Sequence, residues 1–92
     1  MSDTATDLSE LRDAIDAIDS EILRLFTERA RLVLRVGEVK KVAGIRVYDP
    51  DRERRILERL GKLAEEPVDA ETVRRVFERI IDESRRLEQH RA

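Results

Sequence analysis

Between Leu8 and Lys41, apolar side chains recur at alternating spacings of three and four: Leu8, Leu11, Ile15, Ile18, Ile22, Leu25, Leu32, Val36 and Val39. This is a heptad seam without proline, with Gly37 its one weak helix former, and it predicts a single long helix. Arg29 occupies the one seam position where an aliphatic residue is missing. A permanent cation there is costly unless something compensates it. It sets register, pairs with an acidic neighbour, or faces a buried anionic ligand. The helix would be about 50 Å long, against roughly 35 Å for the diameter of a compact domain of this size. The rest of the chain is too short to cover such a seam, so a second copy is predicted to do so in a homodimer.

The flanking segments read as helices too. Residues 1–7 (MSDTATD) are small and polar and are expected to form a disordered leader before a single helical domain over residues 8–92, with Asp7 or Ser9 as the first cap. Lys40 and Lys41 in the last turn and Gly44 beyond it end the long helix. In the short loop that follows, Ile45, Val47 and Tyr48 are expected to tuck inward. Asp49-Pro50 then pairs an N-cap with a first-turn proline. Ile56, Leu57, Leu60 and Leu63 form the inner face of a second helix, which is expected to fade at Glu65-Glu66-Pro67. Asp69 caps a third, whose face is Val73, Val76, Phe77, Ile80, Ile81, Ser84 and Leu87, running to about Gln89. The class predicted is all-α, three helices per chain, in an intertwined dimer.

Composition sharpens this picture. Charged residues make up 43% of the 92-residue chain, with only 3% aromatics, which suits a helical dimer of one domain. A net charge of −2 gives no support to nucleic-acid binding. No apolar run approaches a membrane span and no signal-peptide pattern is present, so a cytoplasmic location is expected. With no cysteine and one histidine, His90, neither a disulfide frame, thiolate chemistry nor a metal site is expected.

Several polar residues lie close to the apolar faces. Lys40 follows Arg29 by about three turns and returns to nearly the same face roughly 16 Å along. Asp49, Arg52 and Glu53 gather at the start of the second helix. Ser84 and Glu88 continue the stripe of the third, where the plainer reading is a helix end turning polar as it leaves the core. Arg12 lies about 25 Å from Arg29 on a straight helix, too far for one small ligand in one chain. In an antiparallel dimer the partner's Arg12 can approach Arg29 and Lys40. Guanidinium and ammonium groups set against a few carboxylates describe a pocket for a small dianion.

These residues resemble a known family. Leu11-Arg12 with I-D-x-I-D, F-T-E-R-A-R-L around Arg29, V-G-E-V-K ending at Lys40, Y-D-P-D-R-E-R from Tyr48, and I-I-D-E-S-x-x-L-E-Q from Ile80 resemble, in order and spacing, the all-helical AroQ-type chorismate mutases. The resemblance spans residues 8–90 and implies rearrangement of chorismate to prephenate without a cofactor. It implies that Arg29 and the partner's Arg12 hold the two carboxylates, and that Lys40 hydrogen-bonds the ether oxygen. Glu53 and Asp49 would take the ring hydroxyl or orient the groups that do, Arg52 would support the site electrostatically, and Ser84 would contact a carboxylate or the hydroxyl. Glu88 would be the second donor to the ether oxygen. Many relatives carry glutamine there, and a glutamate donates only when protonated.

Two other readings compete. Isochorismate pyruvate lyase is similar at Arg12, Arg29 and Lys40, but that branch lacks acidic residues where this chain has Asp49 and Glu53. A non-catalytic helical dimerisation module would account for the seam alone, but leaves the convergence of polar residues unexplained.

Overall fold

The computed structural model describes residues 3–91, which form three helices: α1, Thr4–Ala43; α2, Pro50–Lys62; and α3, Ala70–Arg91. Each predicted helix is present. α1 starts earlier than expected, because Asp3 supplies the cap: its carboxylate accepts from the Ala5 N–H at 3.1 Å and from the Thr6 hydroxyl at 3.0 Å. Residues 4–7, expected in a disordered leader, are therefore helical, and neither Asp7 nor Ser9 is the cap. The rest of that expectation, at residues 1 and 2, lies outside the described residues.

Gly44 ends α1 in the left-handed region at φ 71°, and the next N–H, of Ile45, reaches back to the Lys40 carbonyl at 2.8 Å. Asp49 and Pro50 open α2 as predicted, with Asp49 Oδ1 accepting from the Arg52 N–H at 3.0 Å. α2 stops at Lys62, short of the expected fade, where the Leu63 N–H turns tightly onto the Leu60 carbonyl at 3.0 Å. Leu63, placed on the inner face by its spacing, is thereby left exposed. Asp69 caps α3 through the Thr72 N–H at 2.8 Å.

α3 packs against both other helices, while α1 and α2 make no close backbone approach to each other. The half-buried Phe26, Ala30, Val33, Leu34 and Gly37 lie in the C-terminal half of α1, and Ile56 and Ile81 are the buried hydrophobic side chains of the described chain. Every described residue from 3 to 25 is exposed. The chain measures 66 × 27 × 15 Å with a radius of gyration of 17.7 Å, against about 12 Å for a compact domain of this length. The seam is bare, with Leu11 63%, Ile18 59% and Val39 67% exposed. Ile45 is exposed as well, and Val47 and Tyr48 face a cavity without being covered, because no second layer lies over the loop.

Candidate active site

The gap that α3 keeps between α1 and α2 is a cavity of about 690 Å³. Arg29, Lys40, Asp49, Arg52, Glu53, Ser84 and Glu88 all line it. Seven of the eight residues singled out in the sequence thus meet in one place; the eighth, Arg12, is on the exposed N-terminal half of α1 and does not reach it. Arg29, at the break in the aliphatic seam, lines the cavity together with the seam residues Leu32 and Val36 that follow it.

Each wall holds its polar groups differently. Arg29 donates from Nη1 to Ser84 Oγ at 3.1 Å, and Ser84, only 4% exposed, donates its own proton to the Ile80 carbonyl at 2.8 Å. The serine's one proton is thereby engaged within α3, and the hydroxyl oxygen holds Arg29 in place at the cavity. Burial, and then the charge of Arg52, push the Arg29 guanidinium below its ordinary value, and the group stays charged. Among the described residues neither Arg29 nor Arg52 has a carboxylate partner. Lys40 Nζ lies 3.9 Å from Asp49 Oδ2, which tethers the end of α1 to the start of α2.

Glu88, on α3, lines the same cavity as Lys40 and lies close against α1. A β-carbon placed on Gly37 would come within 3.1 Å of Glu88 Oε2, so the glycine makes room for the carboxyl. Burial raises the Glu88 pKa above its ordinary value, and Glu53 adds to the rise; Lys40 and Arg85 oppose it. A carboxyl so placed retains its proton, and its capacity to donate, to higher pH than an exposed one. The cavity therefore offers, among the described residues, two guanidinium groups without carboxylate partners, the Lys40 ammonium, the Glu88 carboxyl with its raised pKa, and apolar walls from Val33, Val36, Ile56 and Ile81. Such a lining can hold a small anion with an apolar body.

The comparison with known proteins decides the family. Residues 11–89 match the chorismate mutase type II family. The chain belongs to that family. It is 39% identical over 82 residues to the chorismate mutase of Methanocaldococcus jannaschii, covering 88% of this chain and 83% of that protein. It is 50% identical over 60 residues to the bifunctional chorismate mutase/prephenate dehydratase of Aquifex aeolicus, 65% of this chain but 17% of that protein. The chain spans no more than about a fifth of the bifunctional relatives, 20% in the case of Escherichia coli. The solved chorismate mutase of Thermus thermophilus (form II) superposes with a TM-score of 0.87 at 37% identity, over 90% of this chain and 94% of that one.

For this member of the chorismate mutase family, sequence reasoning missed four contributors to the cavity: Val33, Gly37, Arg85 and Gln89. Arg85 carries an available signal, since it lies three residues before Glu88 on the same helix and so on a neighbouring face. Among 19 basic residues that signal did not stand out. Gly37 was read only as a weak helix former, because the close approach it permits is made by a residue on another helix.

Proposed function

We propose that this chain catalyses the rearrangement of chorismate to prephenate in the cavity between α1, α2 and α3. The observation that carries the reading is the presence, among the described residues, of two cations without carboxylate partners, Arg29 and Arg52, at a cavity also lined by Lys40 and by Glu88, whose pKa is raised. Chorismate is a dianion. In its reaction the ether C–O bond breaks as a C–C bond forms within the same molecule, and no group is transferred to the protein. The work to be done is positioning, followed by stabilisation of charge that grows on the ether oxygen.

In this reading Arg29, fixed by Ser84, takes one carboxylate, and Arg12 of the partner copy takes the other. Lys40 and protonated Glu88 donate to the ether oxygen, and they bind it more strongly as it becomes negative. Glu53 and Asp49 face the ring hydroxyl, and Arg52 adds field to the anion site. The active unit is a homodimer, a reading supported by the uncovered seam and by the unaccompanied N-terminal half of α1.

The test is incubation of the purified protein with chorismate between about pH 5 and about pH 8, following loss of the substrate and identifying the product. Prephenate formed fastest at the acid end is the expected result. Salicylate and pyruvate formed from isochorismate, with chorismate untouched, would move the assignment to the lyase reaction.

A further inference from the structure

Arg85 is the cavity residue with the widest reach. From α3 its Nη2 pairs with Glu53 Oε1 on α2, and its guanidinium carbon lies 5.0 Å from the centroid of the Tyr48 ring in the α1–α2 loop. Its Nη1 lies 3.6 Å from Asp82 Oδ1. Three elements that frame one side of the cavity thus converge on one planar group. Only one oxygen of Glu53 is engaged; Oε2 has no partner among the described residues. Both side chains are partly shielded, Arg85 37% and Glu53 26% exposed.

We propose that Arg85 is a positioning residue, which holds the Glu53 carboxylate and the Tyr48 ring in the cavity wall and neutralises Glu53 where a dianion must bind. The charge inventory makes the case. Arg29, Lys40, Arg52 and Arg85 face Asp49, Glu53 and Glu88. Lys40 answers Asp49 and Arg85 answers Glu53, which leaves Arg29, Arg52 and the Glu88 carboxyl for the ligand. Without Arg85, Glu53 is an uncompensated negative charge on the wall of an anion site. The loop also loses its aromatic contact, since a guanidinium lying over a ring is held by the ring's negative face. An ordinary exposed pair contributes little. This one acts on orientation and local charge, so its effect belongs in binding more than in fold stability.

The inference rests on the proposed mutase reading for its kinetic arm, and a spectroscopic arm stands apart from it. Tyr48 is the chain's one tyrosine and there is no tryptophan, so near-ultraviolet circular dichroism at the tyrosine band reads this ring against a small phenylalanine background. Arg85→Ala is expected to abolish most of the tyrosine signal with the far-ultraviolet helical spectrum retained. For chorismate, the same variant is expected to raise KM on the order of tenfold, with kcat changed by less than about threefold. Adding Glu53→Gln to Arg85→Ala is expected to give a protein no worse than Glu53→Gln alone, because the two changes remove one coupled pair. Arg85→Lys restores KM to within about threefold, since it keeps the charge, but not the tyrosine signal, since it loses the plane. The pH profile supplies a readout that a purely structural role would not move. Glu88 faces Lys40 from α1, Glu53 from α2 and Arg85 from its own helix. Loss of Arg85 removes a cation that lowers its pKa and exposes a carboxylate that raises it, so the fall in rate with pH moves upward. An unchanged tyrosine signal, an unchanged KM, or effects of the two single changes that simply multiply would each overturn the proposal. A wild-type protein inert toward chorismate overturns the mutase reading, and the Tyr48 signal alone then decides the clamp.

Discussion

Glu88 and Gly37 meet across the gap between α3 and α1, and each constrains the other. Because burial raises the Glu88 pKa, the donor form is complete below that raised value and is lost as pH rises through it. Activity should fall on the alkaline side accordingly. Glu88→Gln, which donates at any pH, is expected to flatten the rate–pH profile; a wild-type profile already level from about pH 5 to about pH 8 would remove the argument. Gly37→Ala separates site from fold. Alanine favours a helix interior by about 1 kcal/mol over glycine, and the atom it meets, Glu88 Oε2 at 3.1 Å, is the movable end of a side chain. The expected outcome is a melting temperature held or raised, with kcat lowered as the carboxyl is displaced. A fall in both together would show that the contact is structural. At this scale Arg29 was conspicuous in the sequence because it broke an aliphatic pattern. Gly37 and Arg85 broke none, and their roles depend on which residues of other helices stand opposite them.

Element boundaries do chemical work here through their caps. Asp49 ends the loop, caps α2 by accepting from the Arg52 N–H, and lies beside Lys40. Asp49→Ala is expected to cost about 1 kcal/mol of stability, measured by denaturant unfolding. Asp49→Asn keeps a good cap and removes the charge, so it should hold stability while activity falls through a less restrained Lys40. Equal stability losses in the two variants would mean that the ion pair, and not the cap, supports the helix. The starts of α2 and α3 were legible because Asp followed by Pro, and Asp before an apolar stripe, are local signals. The start of α1 was not read correctly: Asp3 outcompetes Asp7 and Ser9 because the residues it precedes, Thr4 to Asp7, can themselves join the helix. The loop residues Ile45, Val47 and Tyr48 looked like core by composition alone, and became cavity rim and exposed surface.

Among the described residues, the N-terminal half of α1 has no neighbours and the seam no cover. The proposed homodimer would close both, and two measurements test it. The melting temperature is expected to rise with protein concentration. Arg12→Ala and Arg29→Ala, each nearly inactive alone, are expected to recover about a quarter of wild-type activity when unfolded and refolded together in equal amounts. Half of the dimers are then mixed, and each mixed dimer has one site with both arginines intact. No recovery would place Arg12 outside the site, and a concentration-independent melt of a monomer would remove the dimer itself.

Helix number, helix type and the heptad seam were determined by the sequence itself, because they depend on spacing and capping within a few turns of one chain. The set Arg29, Lys40, Asp49, Arg52, Glu53, Ser84 and Glu88 was visible as a family resemblance, since family motifs retain residue order. What only the tertiary structure decided is how those groups are used. Ser84 is spent on Arg29, Lys40 is tethered by Asp49, Glu53 is answered by Arg85, and Glu88 rests against Gly37. Each of these pairings joins residues on different elements, and distances of a few ångströms between separate helices are set by how α3 packs between the other two.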